Sequence, residues 1–232
     1  MKRSDGRIYM DLQEYDPTYY GGVMSKFFPW APKIWGSWIS RSASINGKEP
    51  KILDIGCGPG QVTLSLATSC MKLQMNPKII GVDMLESAIT LANKRKENLP
   101  LDIEFQLGSA VALPFRDNEF DLVMASMLFP FLKEEELIAF FNETYRVLNP
   151  HGRFHFVHPV RCRFNWLVAV LVEKNPFIPK NTKDYEVNFV EHSYTPQEII
   201  NLMNKSQLTM SQKRFNFKWL GLLGEVYGSV KK

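Results

Sequence analysis

Residues 52–60 read ILDIGCGPG. Ile52, Leu53 and Ile55 around Asp54 make a short apolar run of the kind that forms a buried strand, and it passes directly into Gly56, Cys57, Gly58, Pro59 and Gly60. Three glycines in five residues leave very little side chain at the end of the strand, and glycine also reaches backbone angles closed to other residues. A chain gives up its side chains in this way where backbone must lie close against a ligand. In open α/β sheets that place is the carboxyl end of a strand, near the point where the strand order reverses. The spacing is G-x-G-x-G, not the G-x-G-x-x-G that cradles a pyrophosphate, and Pro59 removes one amide that a phosphate could have used. The turn is built for close approach to something that need not be a phosphate.

The residues that follow alternate in character. QVTLSLATSCMK reads as a helix, KIIGVD as a second strand, and LESAITLANKRKEN as a helix whose basic residues gather in its last turns and which Pro100 stops. IEFQL and FDLVMAS are a third and a fourth strand. KEEELIAFFNETYRVL places Leu137, Phe140, Phe141, Tyr145 and Leu148 on one helical stripe, and RFHFV is a fifth strand. Strands alternating with helices mean parallel βαβ units with right-handed crossovers, hence a doubly wound α/β sheet covered on both faces. TPQEIINLMN carries Thr195 as N-cap, Pro196 at the first helical position and Glu198 closing a capping box. LTMSQKRFNF and EVYGSV are expected to pair as an antiparallel hairpin at one edge.

A chain of 232 residues with 45% hydrophobic and 22% charged residues is a soluble globular protein long enough for one well-buried α/β domain. The net charge of +4 does not by itself point to nucleic acid. The region after residue 204 holds Lys205, Lys213, Arg214, Lys218, Lys231 and Lys232 against Glu225, a basic face that suits solvent, acidic headgroups or phosphates. Cys57, Cys70 and Cys162 form no CxxC, so neither a zinc site nor a disulfide framework is expected, and a reduced cytoplasmic compartment fits. MKRSDGRIYM lacks the apolar region of a signal peptide, and FNWLVAVLV is about half of a bilayer span.

ILDIGCGPG closely resembles the first motif of class I S-adenosylmethionine (SAM)-dependent methyltransferases, and further landmarks follow in that family's order between Lys51 and Val157. IIGVDM supplies Asp83, which the resemblance places on the cofactor ribose; a carboxylate accepts well from two vicinal hydroxyls. Met84 follows where the family packs an apolar residue on adenine. GSAVALPF resembles the landmark after the third strand, with Ser109 where the family often has Asp, so the adenine contact falls to Ser109 or to the Ala110 backbone. FDLVMASMLFPFL resembles the fourth-strand motif, with Ala125 and Ser126 beside the methionine end of the cofactor, and RVLNPHGRFHF the motif leading into the fifth strand. The resemblance implies a Rossmann-like sheet of seven strands, mostly parallel with the C-terminal edge hairpin antiparallel. It implies SAM as cofactor, S-adenosylhomocysteine as product and no metal. Asp54, Gly56, Cys57, Gly58, Gly60, Asp83, Met84, Ser109, Ala110, Ala125 and Ser126 are the expected cofactor contacts. One domain is expected over residues 1–232: an aromatic N-terminal segment (1–50), a SAM-binding core (51–160), a lid insertion (161–194) and a C-terminal helix with edge strands (195–232).

Many relatives carry a His pair after the fourth strand; here Pro130 and Phe131 stand there. Of the four histidines, His151 lies in a turn, His155 within the fifth strand as a structural residue, and His192 just before the capped helix. His158, at the carboxyl end of the fifth strand, is the candidate base or substrate contact. Methyl transfer from a sulfonium is an in-line displacement in which positioning and exclusion of water can supply much of the rate, so a dedicated base is optional. Tyr19, Tyr20 and Trp35 in the N-terminal segment, Trp166 in the insertion and Phe131 are the candidate acceptor contacts. Aromatics beside Lys and Arg suit an apolar or lipid-like small-molecule acceptor and a weak contact with a membrane surface. The family includes ubiquinone and menaquinone methyltransferases. A SAM-binding regulatory protein, a dinucleotide-dependent oxidoreductase and an enzyme acting on a polar small molecule or RNA are the alternatives. No base-amine motif or RNA-binding module supports the last.

Overall fold

The computed structural model describes residues 36, 49–97, 99–100, 102–159, 193–208, 214–218, 223–230 and 232. Its centre is a seven-stranded sheet formed by β1 (Lys51–Ile55), β2 (Lys78–Asp83), β3 (Ile103–Leu107), β4 (Phe120–Ser126), β5 (Leu148–Pro159), β6 (Arg214–Lys218) and β7 (Leu223–Ser229). The order is β3-β2-β1-β4-β5-β7-β6. The first five strands run parallel and β7 lies antiparallel between β5 and β6. The expected mostly parallel sheet with an antiparallel C-terminal hairpin is therefore present. The order reverses between β1 and β4, so the carboxyl ends of these two strands flank the switch point.

Two apolar layers hold the sheet between helices. On one face Ile52, Ile79, Ile103, Phe105, Leu122 and Met124 pack against Leu66, Ala67 and Cys70 of α1 (Gln61–Lys72) and Ile89 and Ala92 of α2 (Glu86–Lys96). On the other, Leu53, Ile55, Val123, Phe154 and Phe156 meet Leu137, Phe140 and Phe141 of α3 (Glu134–Val147) and Ile199, Leu202 and Met203 of α4 (Pro196–Asn204). Each helix buries one stripe at helical spacing, and β2 and β4 are apolar on both sides, whereas the edge strand β3 turns Glu104 and Gln106 away from the core. At α4 the capping box forms as read: Glu198 N donates to Thr195 Oγ1 (3.3 Å) and Thr195 N to Glu198 Oε2 (2.6 Å).

Two features carry this packing towards the switch point. A short 3₁₀ turn, Phe129–Phe131, links β4 to α3. Phe129 anchors it, with its ring edge-on to Phe140, Phe141 and Phe156 at centroid separations of 5.7, 5.8 and 5.7 Å. The connection between β3 and β4 is tied down by α3. Glu143 Oε2 accepts from Leu113 N (2.6 Å), while Arg146 donates to Leu113 O (3.0 Å), Phe115 O (2.7 Å) and Asp117 Oδ1 (2.9 Å).

β5 differs from expectation at its start. Asn149, Pro150 and Gly152 read as turn residues, yet the strand begins at Leu148 and its register against β4 shifts between Phe120 and Leu122. His151 takes a left-handed φ of 66°. The irregularity absorbs the turn-forming residues without ending the strand. The aromatic N-terminal segment and the insertion over 161–194 fall almost wholly outside the described residues. Within the first, Gly36 is described and buried; a Cβ there would lie 2.6 Å from Ser65 Oγ and 2.7 Å from Leu66 N on α1.

Candidate functional site

The amides of the glycine turn are all tied down, by β2, by the turn itself and by the Asp83 carboxylate. Gly56 N and Cys57 N both donate to Val82 O (2.8 and 3.0 Å), Gly60 N to Cys57 O (3.1 Å), and Gly58 N to Asp83 Oδ2 (2.8 Å). Pro59 has no amide hydrogen. Every amide from Gly56 to Gly60 is thus committed inside the fold or absent, and the turn has no cradle of free donors for a phosphate. Gly56 and Gly58 take φ of 70° and 52°, where a side chain would be strained. Gly60 shares the left-handed backbone, with φ of 78°, and adds a packing reason. A Cβ there would meet Phe105 Cζ at 2.8 Å and Ala92 Cβ at 3.1 Å, so its smallness lets the start of α1 pack on α2 and β3.

A cavity opens at the switch point beside this turn. Of the expected cofactor contacts, Asp54, Gly56, Cys57, Gly58, Asp83, Met84, Ser109, Ala110 and Ser126 line it, as does Phe131 from the expected acceptor contacts. Gly60 does not, for the packing reason above. Ala125 does not either, because it pairs with Ile55 and Phe156 inside the sheet and turns into the core layer that meets α3 and α4. His158 lies apart from the lining residues, fully buried with its ring stacked on Phe129 at 4.8 Å. His155 is buried in β5 facing Tyr227, as a structural residue would be. Tyr19, Tyr20, Trp35 and Trp166 lie outside the described residues.

Sequence reasoning missed the wall contributed by Val111, Met127, Leu128, Leu132 and Glu136. Met127 takes a left-handed φ of 61° and donates its amide to Val157 O (2.7 Å), which turns the chain sharply at the end of β4 and brings Leu128 over Gly56. Leu132 follows the 3₁₀ turn just before α3, and Glu136 lies in the first turn of that helix; their nearness to Phe131 in sequence is the signal that could have flagged them. Glu136 Oε2 accepts from Lys133 N (2.8 Å).

The electrostatics of the cavity are one-sided. Asp54, Asp83 and Glu136 line it, and no Lys, Arg or His does so among the described residues. Asp54 is buried; its Oδ2 accepts from Thr63 Oγ1 and its Oδ1 has no hydrogen-bond partner. Burial pushes its pKa from 3.8 up to about 7 against the pull of the Thr63 bond, and the nearby Asp83 charge adds to the rise. Burial also raises Asp83, opposed by amide donors that include Leu85 N (3.0 Å) and Gly58 N. The Cys57 thiol is pushed well up by burial and by both carboxylates, so it is an inert wall. Ser126 Oγ is a second buried polar atom without a partner, at the end of the strand beside Asp54. Ser109 Oγ accepts from Val111 N (3.3 Å), and Met84, 56% exposed, offers an apolar surface at the rim. Among the described residues no cluster of His, Cys, Asp or Glu could hold a metal.

A family model described as a methyltransferase domain matches residues 52–152, the stretch that builds this cavity. Residues 52–152 thus carry a methyltransferase domain. The chain is 28% identical over 172 residues to a demethylmenaquinone methyltransferase of Chlorobaculum parvum, a match covering 74% of this chain and 67% of that protein. It is 38% identical over 105 residues to the enzyme of the same name from Symbiobacterium thermophilum, covering 44% of this chain and 40% of that one. The chain thus spans between two-fifths and two-thirds of the length of these relatives. In fold it is similar to the crystal structure of a putative S-adenosyl-L-methionine-dependent methyltransferase from Methanococcus maripaludis, with a TM-score of 0.66, 20% identity and coverage of 97% and 98% of the two chains.

The cofactor of this family suits the cavity of this methyltransferase. SAM carries a sulfonium, an ammonium and a carboxylate, hence a net positive charge. The cavity lining is acidic, and two of its residues carry a buried polar atom without a partner, Oδ1 of Asp54 and Oγ of Ser126.

Proposed function

We propose that this methyltransferase transfers the methyl group of SAM to a small, largely apolar acceptor of the quinol or phenol type. The observation that carries the reading is the acidic lining without a cation among the described residues. A net-cationic nucleoside is attracted there, whereas a dinucleotide would bring its pyrophosphate to a turn whose amides from Gly56 to Gly60 are already committed and to a described lining that holds no basic side chain. Bound SAM supplies an electrophilic methyl group on sulfur. The chain's own residues divide the remaining work. Asp54 Oδ1 and Ser126 Oγ hold the amino-acid end, Asp83 accepts from the ribose hydroxyls, and Met84 with the Gly108–Val111 wall packs the base. Met127, Leu128, Phe131 and Leu132 form an apolar approach to the methyl group that excludes water and aligns the acceptor. Glu136 is the titratable side chain on that approach among the described residues. His158, stacked on Phe129 in the core, holds the end of β5.

The curated relatives named for demethylmenaquinone support a quinol-type acceptor. No helix among the described residues is long and apolar enough to cross a membrane. We therefore place the protein in the cytoplasm, reaching a lipid-like acceptor at the membrane surface through the aromatic N-terminal segment and the insertion. The test is transfer of label from methyl-labelled SAM to a demethylated naphthoquinol with a short isoprenoid tail, read by partition into organic solvent. Label in the organic phase that depends on Asp83 supports the proposal. Label absent there, but present in an aqueous product when a lysate is added, would discard the apolar acceptor.

A further inference from the structure

Asp54 uses its two carboxylate oxygens unequally. Oδ2 accepts from Thr63 Oγ1, whereas Oδ1 is buried, without a partner, on a residue that lines the cavity. Thr63 is itself fully buried in the first turn of α1, so the helix that starts at the glycine turn fixes the rotation of the carboxylate. Among the described residues, the groups around Asp54 offer it no positive charge. Asp83 faces it from β2, the Cys57 thiol from the turn and Thr63 from α1. β4 brings Met124 and Ser126, which do not titrate, and Glu136 stands on the cavity wall. Among the described residues no side chain neutralises Asp54, so before a cationic ligand arrives a proton does so.

We propose that Thr63 is a positioning residue that reserves one oxygen of Asp54 for the ammonium group of the cofactor, and that cofactor binding displaces a proton from Asp54. The inference rests on the reading of the cavity as a SAM site. The balance is simple. The Asp54 carboxylic acid and the ligand ammonium give a carboxylate–ammonium pair, and one proton leaves to solvent. Burial raises Asp54 to about 7, and the Thr63 hydroxyl opposes the rise by donating to the charged form. As pH falls below 7 the binding-competent carboxylate becomes the minor form, and apparent affinity falls with its fraction. From pH 7.5 to pH 5.5 the apparent Kd for S-adenosylhomocysteine should rise roughly twentyfold. The ligand ammonium stays charged across that range.

The experiment is calorimetry on the full chain with two ligands, S-adenosylhomocysteine and 5′-methylthioadenosine, over pH 5.5–7.5 in buffers of different protonation heat. The second ligand keeps the base, ribose and sulfur but lacks the ammonium and carboxylate, so any effect of Asp83 is common to both. The expected result is proton release and a falling affinity at low pH for S-adenosylhomocysteine, with a smaller pH response for 5′-methylthioadenosine. Thr63→Val should move the midpoint for S-adenosylhomocysteine upward and weaken it severalfold at pH 7, and Thr63→Ser should restore both. An equal pH response for the two ligands overturns the proposal, as does a Thr63→Val loss shared equally between them, which would mark Thr63 as merely structural. Binding of S-adenosylhomocysteine with no pH dependence overturns the proton displacement and leaves the cofactor reading standing. Failure of both ligands to bind at any pH overturns that reading and the proposal together.

Discussion

At the end of the cavity bounded by β1 and β2 the lining is held by backbone. The amides of the glycine turn close on Val82 O, Cys57 O and Asp83 Oδ2, and Asp83 Oδ1 holds the amide of Leu85. At the end bounded by β4 and α3 the lining is side chain: Met127, Leu128, Phe131 and Leu132, carried by a turn whose anchor is the Phe129 aromatic cluster. The difference separates two tasks. A ligand common to a whole family can be met by fixed backbone and two or three acids, whereas an acceptor that differs between members is met by side chains that can change without disturbing the turn. The two ends touch at one point, where Leu128 closes over Gly56 and leaves 2.9 Å for a Cβ.

If the backbone-built end is organised for a cation at the expense of the empty protein, removing its buried acid should stabilise the fold. Asp54 is raised from 3.8 to about 7 in the folded state. Between those values the unfolded chain has released the proton that the folded chain still holds. Stability contributed by this group is therefore lost as pH rises from about 4 to about 7 and stays lost above that. Asp54→Asn, whose side-chain oxygen can still accept from Thr63, should melt several degrees higher than the parent at pH 7.5 and close to it at pH 4. The upper bound is about 4 kcal/mol. The same variant should lose affinity for S-adenosylhomocysteine. Equal melting temperatures at pH 7.5 would show that the carboxylate is not strained by burial.

Asp83 tests the same end from the other side. Its oxygens already hold the Gly58 and Leu85 amides, so Asp83→Ala removes both the proposed ribose acceptor and the support of the turn. Affinity for S-adenosylhomocysteine should fall by tenfold or more, about 1.5–3 kcal/mol, with a lower melting temperature in the ligand-free protein. Titration calorimetry and thermal melts together decide it. Weakened binding with an unchanged melt would mean that the turn holds itself.

This contrast also explains what could be read from the sequence. β1, α1, β2, β3 and β4 begin and end where apolar runs meet glycine, proline and polar punctuation, because those boundaries are set by local chain chemistry. Asp54, Asp83 and the glycines were legible for the same reason: a motif of contiguous residues builds the backbone end. Thr63 was not, since its bond to Asp54 spans nine residues and depends on the rotational phase of α1 as it leaves the turn. Leu132 and Glu136 reach the cavity only because the Phe129–Phe131 turn redirects the chain. Gly60 shows the opposite error. Glycine spacing alone does not distinguish a residue kept small for a ligand from one kept small for a neighbouring helix. His158 was placed at the right end of the sheet, but which way a strand residue faces depends on what packs over it, and Phe129 does.

The smallest effect is expected at the side-chain end, and it comes from comparing two variants. Met127 is a non-glycine residue at φ 61° on the cavity wall. Met127→Ala and Met127→Gly remove the same apolar contact, and each leaves the amide free to donate to Val157 O. They differ in the backbone. Alanine keeps the left-handed penalty of about 1–2 kcal/mol, while glycine removes it but adds about 0.4–1 kcal/mol of unfolded-chain entropy. The glycine variant should therefore melt higher than the alanine variant by up to about 1 kcal/mol, roughly 2–4 °C for a chain of this size. Neither should change the affinity for S-adenosylhomocysteine beyond twofold, because the cofactor end draws its geometry from the glycine turn and not from this bend. If alanine and glycine melt together, the bend carries no strain. If either loosens S-adenosylhomocysteine tenfold, the two ends of the cavity are one mechanical unit, and Leu128 on Gly56 is the contact that joins them.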